Sequence, residues 1–413
     1  MNISIVTLGR YVSIVGGYAF KSEEYSDQGC PIIRISNIHD GVVDISSAAR
    51  IPLNKSVNAE RFKVKSGDLL MAMSGATTGK LGLVPEINED VYLNQRVANF
   101  KITDSSKLDS NYLRFFLGSP NCQQQIWNYA VGVAQPNISS AQLEALEIPL
   151  PPKVIQKKIA QILETADNLR KKCRQIGQEL NVLAQSLFLE IFGDPILNPR
   201  GYATGTIRDI VASVNYGTSA KASEGKGQYP ILRMNNLTYE GYWNFASLKY
   251  INLEEREKEK YLAKKGDLLF NRTNSKELVG KTAVFREEQE MAIAGYLIRV
   301  RCNESANSEY VSAYLNSSHG KATLEHMCKS IVGMANINAQ ELQDIQILLP
   351  PKNLQDQYAE FIHALLLRKK LCLEQEKEVD ALFNTLIQEN FNGELSFKSL
   401  EKIIKIKSQA GHV

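Results

Sequence analysis

The sequence has little of what usually marks a catalytic, metal-binding or secreted protein. Its five histidines (His39, His319, His326, His363 and His412) show no paired spacing such as H-E-x-x-H, so no zinc site is expected on a helix. The six cysteines (Cys30, Cys122, Cys173, Cys302, Cys328 and Cys372) contain no C-x-x-C pair, and a reduced, cytoplasmic protein is the simple expectation. No apolar run approaches the roughly 20 residues of a membrane span, and the first fifteen residues hold no basic leader. No G-x-S-x-G turn and no G-x-G-x-x-G loop after a strand pattern is present. Asn198-Pro199 lacks the neighbouring Pro-aromatic pair of an amino-methyltransferase site. These omissions argue against an enzyme, and no metal or cofactor is expected in this chain.

Charge of one sign is also missing. Forty-eight basic and 45 acidic side chains leave a net charge of +3. Residues 1–152 carry 13 basic and 14 acidic groups, 153–191 carry 7 and 4, 192–351 carry 19 and 18, and the remainder 9 and 9. A polyanion-binding surface would therefore have to come from sorting mixed charges onto one face.

Two stretches organise what is there. From Lys153 to Ile191 the apolar positions are Ile155, Ile159, Ile162, Ala166, Leu169, Cys173, Ile176, Leu180, Leu183 and Leu187. Their steps of four and three residues predict one long helix with a heptad seam, entered through Pro151-Pro152 and stopped by Gly193-Asp194-Pro195. A two-per-heptad seam needs a second helix. The pattern recurs 199 residues later, after Pro350-Pro351, as Leu354, Tyr358, Phe361, Leu365, Arg368, Cys372, Gln375, Val379, Leu382 and Leu386. Gln156 and Gln355 match at the same offset.

The offset extends beyond the helices. Pro31-Ile32-Ile33-Arg34-Ile35-Ser36-Asn37-Ile38 aligns with Pro230-Ile231-Leu232-Arg233-Met234-Asn235-Asn236-Leu237, and Gly67-Asp68-Leu69-Leu70 with Gly266-Asp267-Leu268-Leu269. Gly79-Lys80 matches Gly280-Lys281 after a two-residue slip. Val131–Ala134 matches Val332–Ala335, and Asn137-Ile138 matches Asn336-Ile337. A period this long means duplicated domains, since solenoid repeats recur every 20–50 residues or so. The expected fold class is α+β: two similar mixed α/β domains, 1–152 and 192–351, each followed by a long helix, 153–191 and 352–395, with a tail at 396–413. Strands are expected at Pro31–Ile38, Leu69–Met73 and Val97–Ile102, with helices at Asp109–Gly118 and Gln123–Val131. The frames of the two copies agree while Ala49–Phe62 and Leu248–Tyr261 share little, as suits one scaffold reading two different things.

Polar groups suited to base edges stand where strands end. Arg34 with Asn37, and Arg233 with Asn235 and Asn236, offer bidentate donors and acceptors, and Arg272 and Asn274 follow the second Gly-Asp-Leu-Leu. The alternative is that each caps a turn. Ser74–Lys80 has three residues between its glycines where a phosphate loop needs four, so a glycine-permitted hairpin is the plainer reading. Thr77, Lys80 and Lys281 nevertheless lie on glycine-lined turns able to present N–H groups and a cation to a phosphate oxygen.

Taken in order, the duplicated Pro-Ile-(Ile/Leu)-Arg turn, Gly-Asp-Leu-Leu, Gly-Lys, Asn-Ile and Leu-Pro-Pro before a long helix resemble the DNA-specificity subunit of type I restriction-modification systems, over nearly the whole chain. The resemblance implies two target-recognition domains on an antiparallel coiled coil, each reading one half of a split site in double-stranded DNA, with the helices as a ruler. It implies no catalytic activity in this subunit. Two modification subunits would methylate adenine with S-adenosylmethionine, and restriction subunits would use ATP and Mg. Two other readings remain, a recognition subunit of a methylation-only defence system and a duplicated protein-binding scaffold.

Overall fold

A computed structural model describes residues 3–52, 57–130, 136–331 and 334–391. The tail at 396–413 and the matched stretches Val131–Ala134 and Val332-Gly333 lie outside the described residues. The chain divides into two compact units. One takes the residues up to Lys172 and those from Gln375 onward; the other takes Cys173–Glu374. Each unit thus holds one globular domain with part of each long helix.

In the first unit a six-stranded sheet has the order Val12–Gly16, Val97–Ile102, Leu69–Ala72, Leu81–Leu83, Gly41–Val43, Ile38–His39. A three-stranded sheet sets Cys30–Ile33 between Ala49–Ile51 and Tyr92–Leu93. The expected strand Pro31–Ile38 is shorter than its apolar run. It ends at Ile33 because Ile35–Asn37 forms a 3-10 turn, held by the Arg34 N–H donating to Asn37 Oδ1 at 2.9 Å. Three helices complete the domain: α1 Ser110–Leu117, α2 Pro120–Ala130 and α3 Ser140–Glu144. Asp109 caps α1 by accepting the N–H groups of Asn111 and Tyr112. Tyr112, Phe115 and Phe116 all point into the core. The long helix α4, Lys153–Phe192, follows.

The second unit repeats this plan. Val211–Tyr216, Leu297–Cys302, Leu268–Asn271 and Thr282–Val284 form one sheet, and Lys249–Ile251, Tyr229–Leu232, Met291–Ile293 and Leu262–Ala263 another. Its helices are α5 Glu255–Tyr261, α6 Ser308–Asn316, α7 Ser318–Met327 and α8 Ala339–Gln343, before the second long helix α9, Lys352–Phe391. The Gly-Asp turns do the same job in both copies. Asp68 takes Lys101 and Asn99, and Asp267 takes Arg301, tying each turn to the neighbouring strand.

Each long helix starts on a buried glutamine. Gln156 accepts the Asp109 N–H at 2.9 Å and donates to the carbonyls of Lys107 and Pro151, both at 2.8 Å. Gln355 accepts the Asn307 N–H at 2.8 Å and donates to Ser305 and Pro350. Replacing Gln355 with leucine should strand one N–H and two carbonyls, at about 3 kcal/mol. Denaturant unfolding measures this, and an unchanged midpoint would mean that water takes the amide's place.

Each long helix also ends on a phenylalanine that the heptad reading missed. Phe391 packs in the first unit against Tyr112 and Phe116, with ring centroids 5.2 and 5.7 Å away. Phe192 packs in the second against Tyr310 and Tyr358, at 4.7 and 5.4 Å. Tyr112 and Tyr310 donate their hydroxyls to the carbonyls of Pro149 and Leu348, so both rings sit in fixed sockets.

The expected seam needs correction at its alternate positions. In α4, Ile159, Ala166 and Cys173 are buried, and Ile155, Ile162 and Leu187 pack partly covered against the cores. Leu169, Ile176 and Leu180 are half-buried, but Leu183 is 50% exposed and Ala184 packs in its place. In α9, Tyr358, Cys372, Val379 and Leu386 are buried, while Leu354, Leu365 and Leu382 pack at the margin. Phe361 is 54% exposed, with Ile362 buried instead, and Arg368 and Gln375 face solvent. A four-three spacing fits two phases that share every second position. The apolar arc is wider than a coiled-coil seam because each helix also faces a domain through Ala160, Leu163, Phe188 and Phe383, which turns the contact line by one residue.

Candidate nucleic-acid interface

The Arg-x-x-Asn turns are built alike. Asn37 and Asn236 are each 1% exposed. Each accepts its arginine's backbone N–H, and their amide nitrogens are bonded to Ser47 Oγ and the Asn244 carbonyl. The structure thus commits both asparagines to shaping the turn, which removes them from any base edge. Sequence alone could not separate this from readout, since the same amide serves either. Both arginines are half-buried. Arg34 stands 5.5 Å from the centre of the Tyr25 ring, and Arg233 donates to the Ser247 carbonyl at 2.8 Å. Nε of each is buried with no protein partner. Asn235, at the tip of the second turn, is exposed.

The glycine-rich stretch is a hairpin between the antiparallel strands Leu69–Ala72 and Leu81–Leu83. Gly75 and Gly79 have φ of +75° and +85°, which side chains resist. The hairpin lies by the Arg34 turn, since a Cβ on Gly75 would come 3.9 Å from Ile35 Cδ1. Thr77 is half-buried with its hydroxyl toward the Ser74 carbonyl at 3.4 Å, and Lys80 is exposed.

Lys281, its counterpart, is placed differently. Its ammonium donates to the carbonyls of Met234 and Leu237 at 3.1 and 2.5 Å, pinning the Arg233–Asn236 turn from behind. Burial lowers its pKa, with Glu240 opposing. The sequence puts Lys281 on a turn suited to a phosphate contact, but two carbonyls already occupy its ammonium. It lines a cavity of about 250 Å³ with Tyr239, Lys276 and Lys321, and the Lys321 ammonium lies 3.5 Å from the Tyr239 ring centre.

Arg272 and Asn274 form a second cluster in the same domain. Arg272 stacks on Tyr216 at 4.8 Å and its Nε donates to Asn336 Oδ1 at 3.2 Å, which also takes the Thr273 hydroxyl. Asn274 is half-buried and its Oδ1 accepts the Ser275 N–H. Asn336 appeared in the sequence only as part of a repeated Asn-Ile, and Tyr216 not at all. Among the described residues no group of His, Cys, Asp and Glu could hold a metal, and no helix is long and apolar enough to cross a membrane. None of the six cysteines is in a disulfide.

Two mixed α/β domains of one plan, with polar strand-end turns and a shared pair of long helices, define a class. The type I restriction modification DNA specificity domain matches the chain twice, at residues 3–181 and 199–380, and the chain belongs to that family. Two relatives named as specificity subunits align with it over most of both chains. It is 23% identical to the type I restriction enzyme EcoKI specificity subunit of Escherichia coli, over 95% of this chain and 89% of that one. It is 21% identical to the StySPI specificity subunit of Salmonella potsdam, over 93% and 87%. The S subunit of a type I system from M. genitalium superposes with a TM-score of 0.60 at 14% identity, covering 94% of this chain and 96% of that one. A chain from a study of complex assembly in the type I system gives 0.54 at 18% identity, over 95% and 98%. As a specificity subunit the chain is non-catalytic.

Proposed function

We propose that each domain reads one half of a bipartite site in double-stranded DNA and that α4 and α9 set the spacer between the halves. Two modification subunits dock on the helices and methylate adenine with S-adenosylmethionine, restriction subunits that use ATP and Mg join them, and the complex works in the cytoplasm. The observation that carries the reading is the duplication: two domains held by equivalent glutamine and phenylalanine anchors, with unlike loops at their strand ends. Exposed apolar side chains on the helices, among them Val182, Leu189, Leu367 and Leu371, support a docked partner.

The test separates base readout from backbone contact. Asn235→Ala should relax preference at one base of the second half-site, by about 1–3 kcal/mol, and leave the first half-site alone. Lys80→Ala should weaken binding to all sequences alike and flatten its salt dependence. Binding of the assembled methyltransferase to cognate and scrambled duplexes over a salt series measures both. Equal losses on cognate and scrambled DNA for Asn235→Ala would assign that residue to the turn. Loss of both effects would favour a protein-binding scaffold.

A further inference from the structure

In both units a cation of one long helix meets a side-chain oxygen of the other, at positions exactly one repeat apart in number. In the first unit Arg170 of α4 lies 3.6 Å from Asp380 of α9, with its guanidinium 4.4 Å from the Phe383 ring centre. In the second, Lys369 of α9 donates to Asn181 of α4 at 2.7 Å, with its ammonium 3.3 Å from the Tyr242 ring centre. Adding 199 to 170 gives 369, and subtracting 199 from 380 gives 181. Both cations are partly covered, and burial lowers the Lys369 pKa to about 8. Asp167, 7% exposed, braces Arg170 from the preceding turn.

We infer that Arg170–Asp380 and Lys369–Asn181 are register locks, which fix how far one long helix is slid along the other and so sharpen spacer discrimination. This rests on the reading of the helices as the element that sets the spacer. The locks stand where the apolar seam is thin, among half-buried Leu169, Ile176 and Leu180 with Gly177 between them. The Phe192 and Phe391 sockets hold the helix ends, and between them an apolar seam alone tolerates small slides, because one apolar side chain replaces another. A partly buried cation does not, since Lys369 must leave its acceptor and Arg170 its ion-pair partner for an apolar or like-charged neighbour. Sliding by seven residues one way would set Arg170 against Leu373, Asp380 against Leu163 and Lys369 beside Arg174. The other way sets Arg170 against Ile387, Asp380 against Gly177 and Lys369 against Phe188.

The experiment replaces all four lock residues with leucine in the full chain. Nitroxides on unnatural ketone side chains at exposed Lys172 and Glu378, and separately at Ser186 and Ala364, report the register within each unit by pulsed dipolar spectroscopy. Methylation of a library carrying every spacer length, by the assembled complex, reports discrimination. The expected result is an unchanged or raised Tm, a broadened distance distribution for both pairs, and about a tenfold loss of discrimination against neighbouring spacers. Lys369→Arg, which keeps a cation at the seam, should retain the wild-type spacer profile. A single unchanged distance with unchanged discrimination overturns the locks. A broadened distribution with an unchanged spacer profile keeps the locks but overturns their link to spacing, and with it the ruler. Lost discrimination with one unchanged distance also overturns the inference, because the effect would then not pass through register.

Discussion

Lengthening both long helices by one heptad, after Gln175 in α4 and after Glu374 in α9, should lengthen the preferred spacer by roughly three base pairs. Seven residues add about 10 Å to a helix, and stacked base pairs are about 3.4 Å apart. The heptad keeps the seam in phase, and extending both helices keeps opposite positions matched. The same three base pairs turn one half-site by about 100° around the DNA axis, so overall activity should fall even as the optimum moves. Inserting two residues into one helix instead would rotate its seam out of contact and should destabilise the protein outright. Selecting methylated sites from a library of all spacer lengths decides this. A folded, active variant with an unchanged optimum would end the ruler reading.

Replacing residues 1–150 with the equivalent domain of a relative should exchange one half-site completely and leave the other as it was. The structure adds a condition on which domains will work. The incoming domain must supply a loop that receives Gln156 and a tyrosine–phenylalanine socket, like Tyr112 and Phe116, that receives Phe391. A domain lacking the socket leaves Phe391 without its packing, a loss of about 3–5 kcal/mol on the scale of a buried phenylalanine removed. Chimeras that carry both features should fold and methylate hybrid sites; those that lack either should melt early. Mapping methylated adenines in cells carrying each chimera reads the outcome. A chimera with both features that changes both half-sites would show that the domains do not read independently.

The legible parts of the candidate interface were those that depend on chain geometry. Glycines in the Ser74–Lys80 stretch announced a hairpin because only glycine takes positive φ cheaply, and the structure closes it between two antiparallel strands. Asn37 and Asn236 were not legible in role. An asparagine that caps a turn and one that reads adenine have the same neighbours in sequence, and only burial separates them. Lys281 is similar, because nothing local shows that the carbonyls of Met234 and Leu237 lie within reach of its ammonium. Tyr216 and Asn336 beside Arg272 come from distant strands, so no motif joins them.

By itself the sequence determined the duplication, the 199-residue offset, the α+β class, and two long helices that the structure runs at Lys153–Phe192 and Lys352–Phe391. Periodicity and repetition are properties of the chain, and a helix forty residues long repeats its signal often enough to be unambiguous. Which face of those helices is inside was decided by the tertiary structure. A seam read as four-three spacing has two phases, and the domains chose between them by burying Phe188, Phe192, Phe383 and Phe391. That choice turned Leu183 and Phe361 outward and brought Lys369, not Arg368, to Asn181. The physical reason is that burial is settled by everything a helix touches, and the domains supply contacts that the periodicity of the helix alone does not record.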